Sequence, residues 1–258
     1  MTTLSRDPVM PSIINNDIKI NYESIGHGEP LVMLHPNGHC IKDWHVLRYT
    51  AQLEKYFQLI LIDGRGFGDS DKPHDVNYYQ TQLIASDTIA VMNNLGVDRA
   101  HCFGYSMGGR NAFALMHYYP EHFNSFIIGG AHPYAVNKLL NSYTDLLNQG
   151  LPKLVDVFEK NFGHFPLAVK SNFLKNDLTA LLTINSLPLV DFSETLANYN
   201  GNISFIVGEK DPILMYVQKA QQSSASAQIN VIPHKNHMQL FFSSTEITTL
   251  LYDFITGL

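Results

Sequence analysis

The stretch "HCFGYSMGGRNAF" (residues 101–113) sets Ser106 among Gly104, Gly108 and Gly109, at the end of one apolar run and the start of another. Glycine is unfavourable inside strands and helices because it loses the most backbone freedom on folding. Several at one junction therefore imply a demand for space. The pattern G-x-S-x-G in "GYSMG", with a strand before it and a helix after it, supplies that demand. A serine on a very tight strand-to-helix turn is forced into a strained backbone, and side chains at 104 or 108 would collide with the neighbouring strand and helix. Ser106 Oγ then projects above the sheet, and the Met107 N–H, at the helix N-terminus, points at developing negative charge. The pentapeptide alone would equally fit a glycine-lined helix contact with an incidental serine. The strand-before, helix-after context is what favours the first reading.

Working outward, "DIKINYESIG" (17–26) alternates like a half-buried strand. Short, continuous apolar runs follow at "PLVMLHP" (30–36), "QLILIDGRG" (58–66), "AHCFGYS" (100–106), "FNSFIIGG" (123–130), "ISFIVGEKD" (203–211) and "AQINVIPHK" (227–235). Such runs fit parallel strands buried on both faces. Helical patterns lie between them at 78–96, closed by Gly96, at 107–120, closed by Pro120, and at 244–257. The alternation predicts an α/β fold with a mostly parallel sheet flanked by helices. Residues 133–199 break the rhythm. They hold no convincing strand but several helical patterns, punctuated by Pro152, Pro166 and Pro188. The expected organisation is a core of 1–132 and 200–258, with 133–199 as a helical cap inserted after the sixth strand.

The chain has 258 residues, 45% of them apolar and 16% charged, enough for one large domain with a sizeable core. A net charge of −6 without a basic run argues against nucleic acid or anionic membrane as a partner. Cys40 and Cys102 show neither CxxC spacing nor a disulfide framework. No stretch reads as a signal peptide or a membrane span. A soluble, cytoplasmic protein is the expectation, and the oligomeric state stays open.

A serine hydroxyl needs a base, and the base needs an orienting acid. Loops beyond strand C-termini are where open α/β sheets hold their chemistry. His237, in "PHKNHMQLFF", lies just beyond the last strand and is favoured over His234. Asp211, in "FIVGEKDPI", follows a buried run and is favoured over Glu209. Asp63 also follows a strand but reads as a loop-bracing carboxylate.

Taken in order, these pieces resemble the α/β-hydrolase fold superfamily over almost the whole chain. "LHPNG" resembles its oxyanion loop after the third strand and "DGRGFGDSDKP" the loop after the fourth. "GYSMGG" resembles its nucleophile elbow, "GEKDPI" its acid loop and "NHMQLF" its histidine loop. The resemblance implies Ser106, Asp211 and His237 as the catalytic residues. The chain departs from the family at Pro36, where glycine is usual. Proline has no N–H, so the carry-over puts the oxyanion donors on the Asn37 and Met107 amides.

Two other motifs are set aside. "GRGFG" lacks the spacing and the following helix of a dinucleotide loop. His35 and His39 sit in a loop without a third metal ligand. Trp44, Met107, Met238, Tyr143 and Phe162 are the expected substrate-pocket residues, with Phe158 and Phe165 as further aromatics of the insertion; Trp44 fits a place beneath or beside the cleft and equally one in the core, and the aromatics of the insertion equally fit packing of the cap on the core. The implied activity is a serine hydrolase acting on small to medium carboxylic esters, with a small-molecule substrate and no metal or organic cofactor. The alternatives are a lactonase or C–C bond hydrolase of the same fold, cofactor-free oxygen chemistry, or a non-enzymatic small-molecule receptor.

Overall fold

In a computed structural model, which describes residues 11–136 and 138–258, the buried runs form one eight-stranded sheet. Its strands are β1 (Ser12–Asn15), β2 (Ile18–Ile25), β3 (Glu29–Leu34), β4 (Phe57–Ile62), β5 (Ala100–Tyr105), β6 (Phe123–Gly129), β7 (Asn202–Gly208) and β8 (Ala227–Ile232), in the order β1-β2-β4-β3-β5-β6-β7-β8. β1 and β2 pair antiparallel, as do β2 and β4, and all other pairs are parallel. β1 lay outside the expected strands. It is joined to β2 by Asn16 and Asp17, both at positive φ (48° and 61°), as a two-residue hairpin with the twist of its strands requires.

The α-helices are α1 (Ile41–Val46), α2 (Tyr49–Leu53), α3 (Thr81–Asn94), α4 (Met107–Tyr118), α5 (Lys138–Leu147), α6 (Leu151–Phe162), α7 (Leu167–Phe173), α8 (Leu178–Ser186), α9 (Ser193–Asn198), α10 (Leu214–Gln222), α11 (His237–Phe242) and α12 (Ser244–Thr256). Successive strand residues point to opposite faces, and both faces are covered. Val32, Leu34, Ile60, Ile62, Cys102 and Phe126 pack with α3, α4 and α10. Leu31, Met33, Leu59, Leu61 and Phe103 pack with α1, α2 and α12 on the other side. Burial on both faces is why these strands read as continuous rather than alternating. The segment between β6 and β7 is helical, α5 to α9. Pro152 occupies the first turn of α6 and Pro166 the N-cap of α7, where a missing N–H is tolerated. Among the described residues no helix is long and apolar enough to cross a membrane.

The glycines of the opening stretch are explained by distance. A Cβ on Gly104 would lie 2.2 Å from the Gly108 carbonyl oxygen, and one on Gly108 would lie 2.0 Å from the Leu34 carbonyl oxygen. The first turn of α4 thus rests directly on the ends of β3 and β5. Both obstacles are backbone and cannot swing aside. Gly108→Ala should cost about 3 kcal/mol or more, lowering Tm by roughly 6–12 °C. Gly96→Ala, with nothing within 4 Å but a φ of +67°, should cost only about 1–2 kcal/mol. Thermal melts of the two variants check this; equal losses would mean that the close approach is not what demands glycine.

Candidate active site

Ser106 is the single residue between β5 and α4. Its backbone sits at φ 54°, ψ −110°, a region that a side chain strains to occupy. The strain is held by bonds at both ends of the residue: its N–H donates to the Gly129 carbonyl (2.8 Å) and its own carbonyl accepts from the Arg110 N–H (3.0 Å). Oγ is left pointing above the C-terminal edge of the sheet.

The loop after β8 brings His237 there. Asn236 caps α11 by accepting from the Gln239 N–H, and Gln239 answers at the Asn236 N–H. This box sets His237 as the first residue of the helix. Its Nε2 lies 3.0 Å from Ser106 Oγ, and its Nδ1 lies 2.7 Å from Asp211 Oδ2. A carboxylate at Nδ1 selects the tautomer with the proton there, so Nε2 accepts from the serine hydroxyl. Asp211 is 4% exposed, and its other oxygen accepts from the Ile213 N–H (3.1 Å). Tyr105, which precedes the serine, donates its hydroxyl to the His237 carbonyl (2.7 Å). Gly130 leaves room for the imidazole, since a Cβ there would lie 2.9 Å from His237 Cε1.

The rival residues lie elsewhere and pair with each other. Glu209 accepts from the His234 N–H (2.8 Å), and the His234 side chain is 82% exposed. Asp63 is buried and braces its loop. It accepts from the Ile41 and Asp69 N–H groups and from Asn21 Nδ2.

The loop after β3 abuts the first turn of α4. The His39 N–H donates to the Pro36 carbonyl (3.1 Å), closing a turn with Gly38 at φ 79°. His35 Nδ1–H donates to the same carbonyl (2.8 Å), and its Nε2 accepts from the Gly64 N–H (3.0 Å). Burial lowers the His35 pKa against the pull of Asp63, which suits a neutral ring donating at one nitrogen and accepting at the other. In a planar trans peptide the N–H points away from the C=O. Holding the Pro36 carbonyl therefore sets the direction of the Asn37 N–H, which the turn's own bond leaves unused. Met107, as the first residue of α4, has no acceptor within its helix.

Met107, Tyr143, Phe158 and Phe162 all pack, partly buried, on the apolar cluster that contains Met238. Phe158 lies between Tyr143, tilted against it at 5.8 Å, and Phe162, edge-on at 5.7 Å. The Tyr143 hydroxyl is buried without a partner among the described residues, and burial pushes its pKa up. Phe165 is buried against Phe173 and Phe242. Of the places open to Trp44, the structure gives it the core beneath the site. Its side chain is fully buried against Tyr49, Phe103 and Phe241, in the layer under the site rather than on an open pocket wall. Its position next to the oxyanion loop in sequence pointed to the cleft, but α1 turns it inward. Among the described residues, no group of three or more His, Cys, Asp or Glu side chains could hold a metal ion. The residues that sequence reasoning missed are Tyr105, Gly130 and Arg110. Tyr105 and Gly130 meet His237, and the Arg110 guanidinium donates to the His132 carbonyl; each partner lies more than 20 positions away, and no local pattern announces such a contact.

Known proteins share this architecture. A family model described as alpha/beta hydrolase fold matches residues 29–185. A 2-hydroxy-6-oxononadienedioate/2-hydroxy-6-oxononatrienedioate hydrolase of Pseudomonas putida is 24% identical over 267 residues, covering 93% of each chain. Epoxide hydrolase 3 of Mus musculus is 25% identical over 128 residues, and that match spans only 35% of its length. The crystallised esterase of Exiguobacterium antarcticum superposes with a TM-score of 0.86 at 20% identity, covering 96% of this chain and all of that one, a likeness of fold.

Burial acts to lower the His237 pKa, but the charge of Asp211 and its hydrogen bond prevail, so the imidazole stands above the ordinary histidine value of 6.5. The folded protein therefore binds this proton more tightly than the unfolded chain. The resulting stability is complete below about pH 6.5 and is lost as pH rises through the folded value. An NMR titration of the His237 ring should give a midpoint above about 6.5, and Asp211→Asn should lower it. An unchanged midpoint in that variant would remove Asp211 as the cause.

Proposed function

The chain belongs to the alpha/beta hydrolase fold family, and within it we propose a serine hydrolase acting on small to medium carboxylic esters. The observation that carries this reading is the unbroken chain of contacts from Ser106 Oγ to His237 Nε2 (3.0 Å) and from His237 Nδ1 to Asp211 (2.7 Å), with the serine on a strained turn at the sheet edge.

In the proposed reaction, Ser106 Oγ attacks the ester carbonyl while its proton passes to His237 Nε2. The C–O bond forms as the carbonyl π pair moves onto oxygen. That oxyanion takes hydrogen bonds from the Met107 and Asn37 N–H groups, donors already oriented before charge develops. Collapse expels the alcohol, which leaves with the proton from His237. Water then attacks the acyl-enzyme, giving its proton to Nε2, and the carboxylic acid departs as Ser106 is reprotonated. Asp211 keeps the imidazole in the required tautomer and stabilises its charged form without itself taking the proton. All of these groups belong to the chain, and the reaction needs no metal or organic cofactor.

The segment 133–199 acts as the cap over a core of 1–132 and 200–258, of which residues 1–10 and 137 lie outside the described residues. Met107, Met238, Tyr143 and Phe162 form an apolar wall that suits an acyl chain, and the two methionines adapt to varied shapes. A second reading, C–C bond hydrolysis on a diketone-like substrate, is favoured by the full-length match to the Pseudomonas putida hydrolase.

Hydrolysis of a panel of p-nitrophenyl esters, run beside a lactone and a diketone, tests both. Ser106→Ala should lower kcat by on the order of 10⁵–10⁶-fold and abolish labelling by a fluorophosphonate probe. A variant keeping a tenth of wild-type activity would end the serine mechanism. Wild-type kcat/KM should rise with pH through the His237 ionisation, because only the neutral ring can act as base. Turnover of the diketone but not of esters would select the second reading.

A further inference from the structure

The helical segment meets the loop after β3 through asparagines. Asn172, on α7, donates to Asp43 Oδ1 (2.8 Å). Asn176, just beyond α7, donates to the Gly38 carbonyl (2.6 Å). Asn37 itself donates from Nδ2 to Asn185 Oδ1 on α8 (2.9 Å). Asn185 donates in turn to the Leu181 carbonyl (2.7 Å), so each amide is oriented by its own partners. Phe173, between the first two asparagines, presses its ring on Gly38, where a Cβ would lie 2.2 Å from Phe173 Cε2.

The core side grips the same loop. His39 and Asp43, 2% and 1% exposed, face each other at 2.8 Å, and His35 holds the Pro36 carbonyl. The turn Pro36–His39 is thus clamped between two bodies that are far apart in sequence. Asn176 bonds the carbonyl just after Asn37, and Asn185 bonds the Asn37 side chain. Asn176 thus holds the residue that follows Asn37 and Asn185 holds the Asn37 side chain, while His35 holds the carbonyl that precedes its N–H.

We propose that Asn172, Asn176 and Asn185 are positioning residues for the oxyanion: they hold the Asn37 N–H where it donates, so the helical segment takes part in stabilising the transition state as well as covering the substrate. The proposal rests on the serine hydrolase reading above. It differs from simple packing in one measurable way. Hydrogen bonds to an oxyanion strengthen only as charge develops, so misplacing the donor lowers kcat and leaves substrate binding nearly alone. A loosened cover would instead raise KM. Asn176 also donates to the Phe173 carbonyl at the end of α7 (2.8 Å), so the readout has to separate the two roles.

Removing an oxyanion donor outright costs about 10²–10³-fold, and displacing one costs part of that. With p-nitrophenyl acetate, Asn172→Leu and Asn176→Leu are each expected to lower kcat about tenfold with KM within twofold. Affinity for an alkyl trifluoromethyl ketone, which forms a tetrahedral serine adduct, should fall by the same factor. Asn172→Gln, which keeps an amide donor, should recover most of the loss. Thermal melts establish that each variant folds. If Asn176→Leu does not, Asn176→Asp has the same size, sets a carboxylate against the Gly38 carbonyl and carries the same expectation. Values of kcat within twofold of wild type, or a raised KM with unchanged kcat and inhibitor affinity, overturn the positioning role alone. Wild-type turnover that survives Ser106→Ala overturns the underlying serine hydrolase reading instead.

Discussion

The approach of α4 to the ends of β3 and β5 is the constraint on which the rest depends. With Gly108 against the Leu34 carbonyl and Gly104 against Gly108, the chain has one residue in which to turn from strand to helix, and that residue takes a left-handed φ. The geometry costs backbone energy and packing freedom. In return it fixes the direction of one side chain at the C-terminal edge of the sheet. The parallel arrangement of β5, β6, β7 and β8 opens every following loop on that same edge, so Gly130, Asp211 and His237 converge on Ser106 without any long excursion of the chain.

Charge at the site is handled by enclosure. Asp211 is almost wholly buried yet bonded through both oxygens, to His237 and to the Ile213 N–H. A buried carboxylate without such partners would be strongly disfavoured. Its field raises the affinity of His237 for a proton. Tyr105 and the capping box of α11 fix the backbone that carries the imidazole, so the ring is held by its side-chain partner and by its main chain together.

The helical segment is tied down at both its root and its middle. Arg110, one turn beyond Ser106, donates to the carbonyls of His132 (2.6 Å) and Tyr134 (3.2 Å) where the segment leaves the sheet, and to the Val190 carbonyl where it returns. Its guanidinium has carbonyl partners rather than a close carboxylate, and burial brings its pKa down to about 10. The asparagine contacts around Gly38 form the second anchor. Both anchors land on elements adjoining Ser106, so the segment's position and the geometry around the serine depend on each other.

Much of this was legible along the chain. Burial on both faces made the parallel strands continuous apolar runs. The demand for space at one turn left glycines beside Ser106, and the turn chemistry after β7 and β8 placed Asp211 and His237 just beyond the C-terminal ends of those strands. These signals are local, because each arises from the conformation of a few consecutive residues. The hairpin strand β1 was missed although Asn16 and Asp17 carry its turn, since four half-exposed residues make too weak a pattern. The inward turn of Trp44, the contact of Tyr105 with the His237 carbonyl, the clamp of Arg110 and the asparagine grip on Gly38 left no mark in the sequence. Each pairs ordinary side chains across a long stretch of chain. Nothing local distinguishes an asparagine on a helix surface from one that meets a distant carbonyl. Sequence alone therefore determined which backbone the chain adopts and where the loops at its strand ends lie, while the packing of β3, α4 and the helical segment decided which polar groups meet and at what distance.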